Sequence, residues 1–503
     1  MKFPTTSRWL YIFALFAISS TALAAEQQAN AAPQKCDWYC WVEQRLTALT
    51  AQVDKLTKMV ASPTTYPTRQ TPSKPPSNPT TKSSPPTTIP KPPISARTGY
   101  RAVGYYGNWD VYARNFTPQQ IPVSRLTHLL YSFADNKVDG TVFLTDSYAD
   151  VGKHYPTNSW SEGGNNIYGL LKQLGLLKQR NRNLKVMLSI GGWTYINTNK
   201  HLDPVGASAT AIATFANGFV NMIKNYGFDG IDIDWEYPQS IDQGKQFLAL
   251  LKAVRAGLDA YANILGQDKG YAAEAKPKFL LSIAAPAGET NCESFLPLKD
   301  VGSVVDFVNL MAYDYAGSCD PTTGHSANLA PSLSNLKPTP YNTAAVVRAY
   351  LSSGVPASKL NLGMPLYGHA FTHTSGLGEP YSGTSPGSFE AGIYDFKDLP
   401  LKGATEYFGA EAYAMYGYDN STSMLVSYDT VPMALTKVDF LRKMGLGEAM
   451  WWEVSGDKVG SGSIISNVVN ALAGTNGNGI ESQANWIYFP DSSYDNVKSG
   501  FAA

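Results

Sequence analysis

The sequence runs to 503 residues with 40 basic and 40 acidic side chains, and so no net formal charge. With 44% hydrophobic and 12% aromatic residues it holds enough apolar material for a large core, which excludes disorder throughout. The charge balance offers no basic field for a nucleic-acid backbone or an anionic membrane, whereas 30 tyrosines and 10 tryptophans suit a neutral, ring-shaped ligand that stacks on flat side chains.

Residues 1–24 place Lys2 and Arg8 before an apolar run from Trp9 to Ile18 and end on Ala22, Leu23 and Ala24, the pattern of a cleaved secretory signal. The run is too short for a transmembrane helix, so the mature chain is expected to be soluble and exported. An oxidising destination makes the four cysteines disulfide candidates, Cys36 with Cys40 and Cys292 with Cys319. Asn115 (NFT) and Asn420 (NST) are acceptor sequons in a eukaryotic host. In residues 36–61, Val42, Leu46, Leu49, Val53, Leu56 and Val60 recur at alternating spacings of four and three. That is either a short coiled-coil seam, through which chains would self-associate, or a lone amphipathic helix. Residues 62–98 turn to Pro, Thr, Ser and Lys; such a segment buries too little to fold and reads as an extended linker.

From 99 to 495 strand and helix signals alternate. Runs that read as buried strands begin at Arg101 (RAVGYY), Leu126 (LTHLLYSFA), Leu184 (LKVMLSIGG), Phe228 (FDGIDIDWE), Phe279 (FLLSIAAP), Val304 (VVDFVNLMAYD), Leu360 (LNLGMPLYG) and Gly447 (GEAMWWE). Amphipathic stretches such as TAIATFANGFVNMIKNYG fall between most of them. Eight β-then-α units predict an α/β fold, a (β/α)8 TIM barrel with catalytic residues at the C-terminal strand ends. The long interval between the seventh and eighth strands carries EAGIYDF and SMLVSYD and predicts an inserted small α+β unit over 371–440.

The fourth strand puts Asp229, Asp232, Asp234 and Glu236 into a run of Ile, Phe and Trp, although an unpaired buried carboxylate costs several kcal/mol. Side chains alternate along a strand, so Asp232, Asp234 and Glu236 face the barrel interior while Ile231, Ile233 and Trp235 pack under the helices. Neighbouring acids then lie about 6.6 Å apart, close enough to repel and to share a proton. At least one pKa is expected to rise, and Glu236, nearest the mouth, suits a general acid. The bland alternatives are a salt-bridged strand or a metal site; Lys and His are absent from the stretch, and the other strands supply no His cluster.

DGIDIDWE (Asp229 to Glu236) resembles the DxxDxDxE signature of glycoside hydrolase family 18, the chitinase family, and LSIGGW (Leu188 to Trp193) is similar to its SxGG motif. The likeness extends from Tyr100 to YFPDSSYDN near the C-terminus and is closest to secreted fungal-type chitinases. It implies hydrolysis of β-1,4-linked N-acetylglucosamine in chitin and chitooligosaccharides, with retained configuration and without a metal or nucleotide cofactor. On that resemblance Glu236 is the proton donor. Asp234 orients the substrate's acetamido group, whose oxygen attacks the anomeric carbon, and Asp232 shares a proton with Asp234; this is the family's substrate-assisted exception to the two-carboxylate scheme. MAYDYAG resembles the sixth-strand motif, so Tyr313 would bond the acetamido carbonyl, Asp314 would contact sugar and Met311 would line the wall. Trp452 would floor the subsite and Trp451 would turn into packing.

Tyr106, Trp109, Phe133, Trp193 and Tyr367 lie at strand ends and are candidates for the cleft, with Tyr237 beside the acid. Ser189, Gly191 and Gly192 read as tight packing. Two positions depart from the family: His369 replaces the arginine of YGR and loses a forked, always-charged donor, and Glu448 stands where glycine is common. Two rival readings are an endo-β-N-acetylglucosaminidase acting on glycoproteins and a non-catalytic chitin-binding lectin. Lectin relatives typically lack the last acid of the signature, which is present here as Glu236.

Overall fold

The computed structural model describes residues 99–501 apart from 157, 196–199, 268–275, 289–291 and 475–478. The leader, the heptad segment and the linker all lie outside the described residues.

Eight parallel strands close into a barrel: β1 (Arg101–Gly107), β2 (His128–Asn136), β3 (Lys185–Gly191), β4 (Gly230–Asp234), β5 (Leu280–Ala285), β6 (Phe307–Leu310), β7 (Leu360–Pro365) and β8 (Glu448–Trp452), with β1 bonded to both β2 and β8. Each is rich in residues that are apolar on both faces, as a strand covered on both sides requires. The alternation divides the core in two. Val103, Tyr105, Leu130, Met187, Leu280, Phe307, Tyr313 and Met450 fill the barrel, while Ala102, Leu129, Leu188, Ile231, Ile233, Trp235 and Trp451 pack outward under the helices.

The surrounding helices are α1 (Gly169–Arg180), α2 (Ala209–Tyr226), α3 (Ile241–Gly266), α4 (Leu298–Val304), α5 (Thr343–Ser352), α6 (Val431–Met444) and α7 (Ile464–Ala473). Side chains of Ser208, Ser240, Asn342, Thr430 and Ser463 accept from the first turns of α2, α3, α5, α6 and α7, satisfying donors that a helix start leaves open. Helix α2 ends at Gly227, whose φ of 77° a side chain would disfavour. After β1 the chain makes two 3-10 turns, Asn108–Val111 and Pro118–Gln120, in place of a helix.

Between β7 and α6 lies a five-stranded antiparallel sheet, in the order Ile393–Asp395, Tyr367–Phe371, Met424–Tyr428, Ala414–Asp419, Thr405–Gly409. Its first strand begins at Tyr367, one residue past Leu366, so the inserted unit starts earlier than 371. Helix α6 follows the sheet and packs on α7 in the outer ring. The C-terminal segment crosses the opposite end. There the Asn485 amide donates to the carbonyls of Lys178, Asn181 and Leu184, and Phe489 and Phe501 enter the outer core.

Candidate active site

The strand that carries the acids treats its two ends differently. At the start of β4, Asp229 lies 2.8 Å from Lys178 Nζ and accepts from the backbone N–H of Val186 and of Trp486, each at 2.8 Å. Further along, Asp232 meets no cation. Its Oδ2 accepts from Tyr105 OH and Ser189 Oγ, both at 2.8 Å, and its Oδ1 from Ser282 Oγ at 2.6 Å and Asn309 Nδ2 at 3.3 Å. Asn361 in turn donates to Asn309 at 2.8 Å, so a belt of polar groups from six strands crosses the barrel. Asp234 is buried one step nearer the mouth, and its Oδ1 has no hydrogen-bond partner among the described residues.

Burial raises the Asp232 carboxyl above its ordinary range although four hydrogen bonds oppose the rise. For Asp234 burial, then the charge of Glu236, then that of Asp232 push the pKa well up, and nothing on the side chain counteracts them. Both carboxyls are thus pushed toward the protonated form, Asp234 without the donors that oppose the rise at Asp232. Glu236 is half-buried just beyond the strand. The acids do alternate inward as the pattern predicts.

Around the mouth, Trp452 stacks on Phe133 at 5.7 Å between ring centroids and 20° between planes, and lies 6.3 Å from Trp109 and 5.3 Å from Tyr105. Trp109 is 36% exposed. Trp451 is fully buried in the outer core, as the alternation of β8 demands. Opposite the aromatic floor, Tyr313 is buried, with its hydroxyl 4.0 Å from Met450 Sδ, and it meets the edge of Tyr367 at 6.1 Å. Met311 is half-buried against the barrel interior. Asp314, 55% exposed at its side chain, accepts from Tyr367 OH at 2.6 Å and faces His369 Nε2 at 2.7 Å. The first strand of the inserted sheet thus supplies the wall that holds Asp314. Tyr237 is half-buried after Glu236, and Trp193 is exposed beyond β3. Peptide bonds Ser132–Phe133, Glu236–Tyr237 and Trp452–Glu453 are cis.

Two sequence readings change, and the departure at Glu448 finds its place. Tyr106 is not a cleft residue: it points outward, fully buried in the outer core, with its hydroxyl on Phe116 O at 3.1 Å. Its neighbour Tyr105 has the inward parity and bonds Asp232. Ser189 is more than packing, since it donates to that same carboxylate. Glu448 sits buried at the far end of the barrel, paired with Arg101, whose guanidinium lies 4.8 Å over Phe307; it plugs the end away from the cleft. Tyr105, Ser282 and Asn309 were missed, and their signal was polar groups at inward positions of otherwise apolar strands. Cys319 is exposed after β6; the Cys292 side chain, and so the pairing of the two, lies outside the described residues. Among the described residues no cluster of three His, Cys, Asp or Glu could hold a metal, and no helix is long and apolar enough to cross a membrane.

Comparison with known proteins gives a consistent picture. The family described as "Glycosyl hydrolases family 18" matches residues 101–457. Chitinase 1 of Aphanocladium album is 48% identical over 415 residues, covering 81% of this chain and 94% of that protein. Endochitinase 1 of Metarhizium robertsii is 47% identical over 405 residues, covering 80% and 91%. Among solved structures, the catalytic domain of a psychrophilic chitinase B from Arthrobacter aligns with a TM-score of 0.68 at 26% identity, covering 77% of this chain and 99% of that one.

Proposed function

Because the chain belongs to glycosyl hydrolase family 18 and is a chitinase, we propose that it cleaves the β-1,4 bond between N-acetylglucosamine units by substrate-assisted retention. The observation that carries this reading is the buried Asp234, its Oδ1 without a hydrogen-bond partner among the described residues, set between a fully hydrogen-bonded Asp232 and Glu236 at a mouth floored by Trp452. Chitin supplies in every sugar the nucleophile that the site lacks at the anomeric carbon.

In the proposed cycle one sugar lies on Trp452, its C–H face against the indole. Glu236 gives its proton to the glycosidic oxygen while the acetamido carbonyl oxygen attacks C1, so the C1–O bond breaks and an oxazolinium ion forms. Asp234 leaves its shared proton on Asp232 as it turns toward the acetamido N–H, and its carboxylate balances the charge there. Tyr313 holds the carbonyl end, and Asp314, braced by Tyr367 and His369, binds the neighbouring hydroxyls. Water deprotonated by Glu236 then attacks C1 from the face the leaving group vacated, the C1–O bond to the acetamido oxygen breaks and restores the acetamido group, and the configuration is retained. Met311, Trp109, Phe133, Trp193 and Tyr237 complete the proposed binding surface. NMR of freshly released oligomers from colloidal chitin tests the cycle: β-anomers are expected, and α-anomers as first products would overturn it. Reducing-end release from colloidal chitin set against an N-glycoprotein separates chitinase from endo-β-N-acetylglucosaminidase and from lectin.

We also propose that the protein is secreted and N-glycosylated, that Cys292 and Cys319 bridge the cleft rim, and that residues 36–60 bring catalytic domains together on an insoluble surface. Support comes from the leader pattern, the exposure of Asn115 and Asn420 and the heptad spacing. Terminal sequencing, mass mapping without reduction and light scattering on full-length and truncated chains check these in turn.

A further inference from the structure

Behind the aromatic floor lies a second group of buried acids that the cycle above does not use. Asp110 is fully buried and Glu453 nearly so. Asp110 directly follows Trp109, and Glu453 directly follows Trp452. Each carboxyl closes the turn that carries its tryptophan's end of the floor. Asp110 Oδ2 accepts from Gly107 N–H at 3.1 Å, and Glu453 Oε1 accepts from Ser455 Oγ at 2.6 Å. A side chain at Gly107 would collide with the Trp109 ring at 2.5 Å, so the indole lies directly on that turn.

Glu453 Oε2 accepts from the Ser455 N–H at 3.4 Å, and the two carboxyls meet the same guanidinium. Asp110 Oδ1 is buried with no hydrogen-bond partner among the described residues. Arg114 Nε lies 3.5 Å from it and 3.6 Å from Glu453 Oε1, within reach of both carboxyls. Arg114 Nη1 instead bonds Asp395 of the inserted sheet at 2.5 Å, and Lys397 Nζ reaches the same Asp395 at 2.9 Å. Three acids therefore share two cations, and the buried charge balances only when one carboxyl is neutral.

We propose that Asp110 and Glu453 share one proton beneath the cleft floor and through it hold Trp109 and Trp452 at a fixed spacing, which makes both acids positioning residues for the sugar lying across the two indoles. Burial, then Glu453, pushes the Asp110 carboxyl up to about 10, consistent with a proton retained through the neutral range. The groups facing it are Glu453 and Arg114, with Asp395 and Lys397 from the inserted sheet and the phenol of Tyr106 from β1, which is itself pushed up by burial. Loss of the proton leaves two carboxylates in contact, and the two turns spread with their indoles.

The inference rests on the cleft reading above, and the experiment separates the two. Calorimetric titration of the Glu236→Gln chain with N-acetylchitotetraose, run from neutral pH to pH ~11, reads binding without turnover. Affinity is expected to fall about tenfold per pH unit above pH ~10, and Asp110→Asn, which has no proton to lose, is expected to abolish that fall. Glu453→Gln is expected to abolish it as well, and serves if the first variant does not fold. In the otherwise wild-type chain Asp110→Asn also melts higher at neutral pH, because the folded protein keeps a proton that the unfolded chain releases above the ordinary aspartate range; the gain shrinks as pH falls toward that range. An alkaline loss that persists in both variants overturns the shared proton. Failure of the Glu236→Gln chain to bind the oligomer at any pH overturns the cleft reading beneath it.

Discussion

The two ends of the acid-bearing strand hold their carboxyls by opposite rules. At the end where strands begin, Asp229 meets Lys178, Glu448 meets Arg101, Lys185 meets Glu481 at 3.0 Å, and Asp306 meets Arg255 and Lys278. At the end where strands finish, Asp232 and Asp234 meet hydroxyls, an amide and one another, but no cation. Both ends belong to β4, within a few residues. A carboxylate paired with a lysine is a fixed charge that braces structure, whereas one left among acids is a proton store whose charge changes with its surroundings. Along β4, therefore, burial alone does not separate the reacting acids from the bracing one; the absence of a countercharge among the described residues does.

The largest way to break the contrast is Glu236→Gln, which removes the movable proton and leaves the shape. Turnover of chitin oligomers is expected to fall by about 10²- to 10⁴-fold or more, with an unchanged thermal midpoint; initial rates alongside circular-dichroism melting check both. Next is Lys178→Met at the braced end, which strands Asp229 in the core. Denaturant unfolding should show a loss of about 3–5 kcal/mol, while kcat of the folded fraction stays near wild type.

Asp234→Asn sharpens the contrast, because it destroys activity and yet stabilises. In the wild type the folded chain keeps the Asp234 proton after the unfolded chain has lost it. Stability therefore declines as pH rises from about 4 toward the raised folded value. The amide has no proton to release, so the variant is expected to melt a few degrees higher at neutral pH, with the gap closing toward pH ~4. A fixed gap at every pH would contradict the proton store. The smallest effect is expected from His369→Gln, which weakens one of the two contacts bracing Asp314: KM for chitotetraose should rise by about two- to fivefold with little change in kcat.

How much of this was legible in the sequence follows from how local each feature is. The eight strands and the inward turn of Asp232 and Asp234 depend on alternation within one strand, and the sequence reports that directly. The choice between Tyr105 and Tyr106 depends on which face of β1 looks inward, and two adjacent tyrosines in an apolar run leave that parity open. Ser189, Ser282 and Asn309 sit on three different strands and acquire meaning only when barrel closure brings them to one carboxylate. Glu448 read as an oddity because its partner, Arg101, is joined to it by the pairing of the last strand with the first. The earlier start of the inserted sheet escaped for a similar reason, since Tyr367 completes both a strand of that sheet and the wall at Asp314.

The stacking of the aromatic floor has an optical consequence. The indoles of Trp109 and Trp452 lie 6.3 Å apart with their planes at 45°, close enough for their transition dipoles to couple. Such a pair produces a signed doublet in circular dichroism whose amplitude depends on separation and twist. A sugar settling across the rings changes their surroundings, and any spreading of the turns beneath them changes the twist. The cleft therefore carries a built-in chromophore pair, able to report occupancy in real time on unlabelled protein and in the presence of the suspended polymer once scatter is subtracted.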